Sequence, residues 1–184
     1  MIIGLTGSYC SGKDAIAKYI CEKYGYIHYS LSDIIREMMG KTNTELVREN
    51  LIIFGTKLRE KSGNGILAKK VLEKINANGK YCITSIRHPD EVGELRRRKD
   101  FILINVNAPQ LVRFKRMQKR KRLGDPNTLE KFIELENKEL QTEGSGQQLK
   151  KTADMADINF VNDSNDIRYL RTAIERLLLN IKCY

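Results

Sequence analysis

The 184-residue sequence predicts an α/β fold, a three-layer α/β/α arrangement with helices on both faces of a five-stranded parallel sheet. Three observations predict it. Short apolar, β-branched runs alternate with segments of helical periodicity along the chain. A glycine-bearing loop, GSYCSGKD (7–14), joins the first such run to the first helical pattern. Polar residues gather just after the strand-like runs, at the edge where parallel sheets bind ligands.

MIIGLT forms the first strand, and from Gly12 the spacing of Ile16, Ala17 and Ile20 turns helical. YIHYS (26–30) reads as the second strand, and SDIIREMM opens a helix with Ser32 as its N-cap. Residues 44–61 and 64–77 give two amphipathic helices, parted around Ser62-Gly63-Asn64-Gly65. KYCITSI (80–86) is a buried strand, and Pro89 starts a charged helix through Arg98. FILINVN (101–107) is the clearest strand, β-branched and nearly all apolar. Pro109 starts a basic helix that Gly124-Asp125-Pro126 interrupts, and a second helix runs from about Asn127 to Leu140. TEGSGQQ (142–148) is loop-like, INFVN (158–162) is the last strand, and Ser164 caps a final helix. That helix carries Ile167, Leu170, Ile174, Leu177, Leu178 and Ile181 on one stripe. No repeat, low-complexity tract or linker divides the chain, which reads as one domain.

The composition is that of a globular protein, with no apolar run near the ~20 residues needed to cross a bilayer. MIIGLTG lacks a basic leader and breaks at Gly4 and Gly7, so no signal peptide is expected. Cys10, Cys21, Cys82 and Cys183 are scattered without metal-ligand spacing, as expected of reduced thiols in a cytoplasmic protein. The formal charge of +10 calls for an anionic partner. From Arg113 to Arg122, seven of ten residues are Lys or Arg and none is acidic. Such a run suits a nucleic-acid footprint, a phosphate clamp or a solvated face, and composition does not choose among them. Apart from Phe114, no aromatic interleaves with it as a base-stacking surface requires.

The loop Gly7, Ser8, Tyr9, Cys10, Ser11, Gly12, Lys13, Asp14 has the GxxxxGK spacing of a phosphate cradle in the required strand–loop–helix context. Inward backbone N–H groups, the positive end of the following helix and the Lys13 ammonium together hold a nucleotide's phosphates. The bland alternative is an ordinary glycine-rich strand–helix turn. Cys10 reads as a small, inert loop residue. Position 14 departs from the usual Ser or Thr, whose hydroxyl holds Mg²⁺. The third strand ends in Thr84-Ser85, offering hydroxyls where such sites usually present a carboxylate. A swap follows as an expectation, with the Asp14 carboxylate and the Ser85 hydroxyl as the Mg²⁺ oxygens. Otherwise Asp14 merely favours the helix N-terminus. His28 and His88 are isolated and read as structural.

With GSYCSGKD, SLSDIIRE, TSIRHPDEV, NAPQLVRFKRMQKRKRLGDPNTLEKF and GQQLKKTADMADINFVNDS in order, the chain resembles the nucleoside-monophosphate-kinase group of P-loop kinases. Within that group it is similar to a branch related to dephospho-CoA kinase and deoxynucleoside monophosphate kinases. The resemblance implies a single domain over 1–184, with acceptor-binding helices at about 32–77 and a helical lid at about 109–141 as insertions. It implies transfer of the γ-phosphoryl of Mg²⁺-bound ATP to a small-molecule nucleotide acceptor. Asp33 and Arg36 fall where relatives place an acceptor-side base and a phosphate-gripping arginine, and Arg87 matches a second phosphate arginine. Arg113, Arg116 and Arg120, with Arg122 beyond them, correspond to lid arginines that stabilise the transition state. Asn162-Asp163-Ser164 falls where relatives touch adenine through the backbone. Two acceptors fit, a (deoxy)nucleoside monophosphate held by Arg36 and Arg87, or a hydroxyl compound such as dephospho-CoA served by Asp33. A nucleotide-dependent switch or RNA-associated NTPase without a small acceptor is the third reading.

Overall fold

A computed structural model describes residues 1–40, 45–120, 125–140 and 144–182. Five strands, β1 (Ile2–Thr6), β2 (Ile27–Ser30), β3 (Tyr81–Thr84), β4 (Phe101–Asn107) and β5 (Ile158–Val161), lie in the order β2-β3-β1-β4-β5. Every pairing is parallel, with Ile3 opposite both Cys82 and Ile102. β1 is buried along its whole length, as an apolar run at the centre of a two-faced sheet must be. Gly4 is required there, because a Cβ would lie 2.6 Å from the Phe101 ring and 2.8 Å from Ile86.

Strand alternation sends side chains to two cores. On one face Ile2, Ile83 and Leu103 pack against α2 (Leu31–Met39), α4 (Ile66–Leu72) and α5 (Pro89–Leu95). α3 (Arg48–Ser62) lies outside them, with Leu51, Phe54 and Leu58 partly buried. On the other face Ile3, Leu5, Ile104 and Val106 meet α1 (Lys13–Tyr24) and α9 (Ile167–Lys182). A third cluster, Phe114, Met117 and Phe132, joins α6 (Gln110–Arg120) to α7 (Leu129–Leu140) and reaches Tyr9 and Cys10. Among the described residues no helix is long and apolar enough to cross a membrane.

Several boundaries differ from expectation. α2 begins at Leu31, directly after β2, so its N-cap position is Ser30, and Ser32 lies in the first turn. The Ser32 hydroxyl is taken by Ser30, Ser85 and Arg36 rather than by a backbone N–H. Asp166, not Ser164, caps α9: its carboxylate accepts from Arg168 N at 2.8 Å, while Ser164 Oγ accepts from Asp166 N at 3.0 Å. Ile167 consequently sits at the exposed end of the α9 stripe. α8 (Leu149–Asp154) was not anticipated, because a six-residue helix shows no full apolar period. The break at 124–126 falls partly outside the described residues, as do Arg122 and Cys183. His88 is structural in a specific way: its Nδ1 accepts from Asp90 N and its Nε2 bonds Gly144 O, so it caps α5 as the Nε2–H tautomer.

Candidate functional site

The loop between β1 and α1 takes three left-handed residues to turn, Gly7 (φ +124°), Cys10 (φ +57°) and Gly12 (φ +102°). A Cβ on Gly7 would stand 2.0 Å from the Val106 carbonyl oxygen, so only glycine fits. Gly12 is the N-cap of α1 and supplies no side-chain cap, which leaves the first-turn N–H groups for an anion. Lys13 folds back across the loop, donating to Gly7 O at 2.9 Å, Ser8 O at 2.6 Å and Ser11 Oγ at 3.2 Å. Enclosure of the ammonium, then the Arg87 charge, lowers its pKa to about 7, and Asp14 and Cys10 oppose the shift. An anion entering the loop would therefore favour the charged form of the Lys13 amine.

Asp14 stands exposed in the first turn of α1, with no hydrogen-bond partner among the described residues. Ser85 adopts φ +62° and shares its hydroxyl with Ser30 at 2.9 Å and Ser32 at 3.3 Å. Thr84 Oγ1 lies 2.9 Å from His28 Nε2. No hydrogen bond joins Asp14 to Ser85, so the two oxygens of the expected Mg²⁺ pair stand on separate elements without touching. No group of three or more His, Cys, Asp or Glu is placed for a metal among the described residues.

Beside the loop opens a cavity of about 540 Å³, lined by Tyr9, Ser32, Ser85 and the three arginines Arg36, Arg59 and Arg87, with Ile35, Leu51 and Ile52 as its apolar part. Arg36 donates to Ser32 Oγ at 2.8 Å and to Asp33 Oδ1 at 2.7 Å. Asp33 itself is exposed and does not line the cavity. Arg87 donates from Nη1 to Gln147 Oε1 at 2.8 Å, and its backbone N–H goes to Glu91. Thus Arg36 and Arg87 share one wall system while the companion carboxylate stays outside it.

Arg59, Glu91 and Gln147 escaped the sequence reading. Arg59 (3% exposed) and Glu91 (0%) form a buried ion pair, with Nε and Nη2 on Oε1 at 3.2 and 2.8 Å. Oε2 of Glu91 accepts from the backbone N–H groups of Arg87 and His88, so this one carboxylate holds the turn that presents Arg87. The partners are 32 residues apart in sequence, and each sits in a charged helix where a solvated face is the ordinary reading. The capping-box spacing from His88 to Glu91 was the available signal for Glu91. Gln147 had no signal.

The arginine stripe of α6 runs along the phosphate loop. Arg113 donates to Ala108 O at 2.8 Å and to Tyr9 O at 3.4 Å, and pairs with Glu136. Arg116 donates to Ser11 O at 3.2 Å and to the carbonyls of Asn162 and Ser164. Arg120 bonds the Tyr9 hydroxyl, pairs with Asp125 at 3.0 Å and lies 4.6 Å above the Tyr9 ring. Its neighbour Tyr9 donates to Asp125 Oδ1 at 2.7 Å. Every arginine of the stripe thus contacts the loop, while Lys115 and Lys119 point to solvent.

Residues 3–144 match the family described as an AAA domain. A UPF0200 protein of Thermococcus onnurineus is 35% identical over 95% of this chain and 95% of its own length. A UPF0200 protein of Sulfurisphaera tokodaii is 32% identical over 98% and 97%. Among solved structures, the shikimate kinase of Bacteroides thetaiotaomicron superposes with TM-score 0.68 at 17% identity, covering 99% of this chain and 98% of that one. The shikimate kinase of Acinetobacter baumannii in complex with shikimate gives 0.62 at 15%, over 100% and 95%. These identities establish a shared fold and nothing finer.

Proposed function

This chain belongs to the AAA domain family and, over nearly its full length, to the UPF0200 proteins, and on that premise we propose that it is an ATP-dependent phosphotransferase. The reading carries the γ-phosphoryl of ATP to a small anionic acceptor, in the first instance a (deoxy)nucleoside monophosphate. One observation carries it: the Lys13 loop opens beside a cavity whose wall holds Arg36 and Arg87 but not Asp33. A monophosphate acceptor needs cations at its phosphate and no general base, since its oxygen nucleophile is already ionised. Planar guanidinium groups suit that task because each can pair two oxygens at once.

In this reading Lys13 and the loop amides bind the β/γ-phosphates, and Arg36 and Arg87 orient the acceptor for in-line attack. Asp14 fits a hard cation, being an exposed carboxylate without a hydrogen-bond partner among the described residues, and Ser85 is the second candidate oxygen. Bound Mg²⁺ would offset charge on the β- and γ-oxygens. The protein's remaining contribution is charge stabilisation and exclusion of water, for which Arg120, at the loop's rim, is the best-placed lid group.

A hydroxyl acceptor is the second reading, favoured by the shikimate kinase neighbours and by the Asp33 carboxylate next to Arg36. An RNA-associated NTPase has less support, because the arginines of α6 face the loop and leave two lysines outward. Coupled-assay turnover over a panel of nucleoside monophosphates, dephospho-CoA and shikimate separates these. Saturable turnover with one or more monophosphates is expected. Turnover confined to hydroxyl compounds, or ATP hydrolysis indifferent to every candidate, would overturn the primary reading.

A further inference from the structure

Ser11 closes the phosphate loop immediately before Gly12 and Lys13, and it is fully buried. Its carbonyl oxygen, cut off from water, accepts two hydrogen bonds from outside the loop: Asn162 Nδ2 at 2.8 Å and Arg116 Nη1 at 3.2 Å. Asn162 follows β5, and its backbone N–H extends the sheet by donating to Asn107 O at 2.8 Å. Arg116, from α6, then locks onto the same turn, with Nη2 on Asn162 O at 3.1 Å and Ser164 O at 2.7 Å and Nε on Asn165 Oδ1 at 3.0 Å. The fit is close enough that a Cβ on Gly12 would lie 2.3 Å from Asn162 Nδ2.

The peptide group converts this outer bracing into inner geometry. In a trans peptide the C=O and the following N–H point in opposite directions across one plane. Holding the Ser11 carbonyl outward, against Asn162 and Arg116, therefore aims the Gly12 N–H the other way, into the loop. The Asn162 amide is held there at a cost, since its Oδ1 is buried with no hydrogen-bond partner among the described residues. Leaving a buried acceptor unmet is destabilising, a cost that an apolar side chain would avoid. The donor on Ser11 explains why an amide is present.

We infer that Asn162 and Arg116 are positioning residues for the phosphoryl donor, acting through the Ser11 carbonyl to orient the Gly12 amide. This rests on the donor-binding reading proposed above, and it assigns the central arginine of the basic helix to the loop rather than to the transferring phosphoryl group. Asn162→Asp keeps the side chain's size but replaces the donor with an acceptor. Arg116→Lys keeps the charge but cannot span the same carbonyls.

The test is calorimetric titration of the full chain with ATP, alongside separate steady-state KM values for ATP and for the acceptor found in the panel. Thermal melting identifies any variant that fails to fold. Asn162→Asp, Asn162→Ala and Arg116→Lys should each weaken ATP about five- to tenfold, the loss of one or two hydrogen bonds, and leave the acceptor KM unchanged. The double variant should lose less than the product of the single losses, because both donors serve one oxygen. ATP affinity equal to wild type in folded variants would overturn the inference, and so would equal rises in both KM values. Failure of the wild-type chain itself to bind ATP would instead overturn the donor-binding reading.

Discussion

Lys13 concentrates the chemistry of the site in one ammonium. Its pKa, depressed to about 7 by enclosure and by Arg87, means that near neutrality a fraction of the free protein carries it unprotonated. A triphosphate brought against it favours the charged form, so binding at pH 8 should take up protons. Titrations in buffers of different ionisation enthalpy check this, and identical heats in all of them would contradict it. Lys13→Met should abolish detectable ATP binding. At the acceptor side, Asp33→Asn should change turnover with a monophosphate less than about threefold, whereas loss of a general base costs about 10²–10⁴-fold. Lys13, Arg36 and Arg87 were legible in the sequence because each belongs to a local motif at a strand end. Arg59 and Glu91 were not, since a buried pair between two helices leaves no local pattern. Glu91→Ala should destabilise the fold by about 3–5 kcal/mol, the cost of stranding a buried charge, read as a shift in the denaturation midpoint at unchanged slope.

At the scale of elements, the β1–α1 loop depends on its neighbours for shape. Gly7→Ala must drive a methyl group into the Val106 carbonyl at a positive φ, so the loop has to shift. ATP affinity should fall at least about tenfold, given that a strained backbone costs about 1–3 kcal/mol. Calorimetry checks it, with affinity unchanged as the contrary result. The strands were readable because each is a short apolar run closed by polar residues, and FILINVN matches β4 residue for residue. The cap of α9 was misplaced by two residues, because Ser164 and Asp166 both bear oxygens able to bond a nearby N–H, and spacing alone does not rank them. The basic helix was expected to act as a lid, and its contacts with the loop follow only from how α6 packs over Tyr9 and Ser11.

For the molecule as a whole, the parallel order β2-β3-β1-β4-β5 puts the loop after the central strand, between the turn bearing Arg87 and the turn bearing Asn162. Stability should register the burial of Lys13. Unfolded, the lysine titrates near 10.5, and folded near 7, so between those values the unfolded chain binds more protons. Its penalty is complete below pH 7 and is relieved as pH rises toward 10.5. Wild-type stability should therefore climb relative to Lys13→Met across that window, and parallel curves would contradict the shift. The phosphotransfer account is tested most directly by following phosphorus itself, with ³¹P NMR of ATP, Mg²⁺ and a nucleoside monophosphate incubated with the protein. The account predicts that each γ-phosphate signal lost is matched by two diphosphate β-phosphate signals, one of ADP and one of the phosphorylated acceptor, with no inorganic phosphate. Inorganic phosphate growing in step with ADP as the sole diphosphate would contradict it.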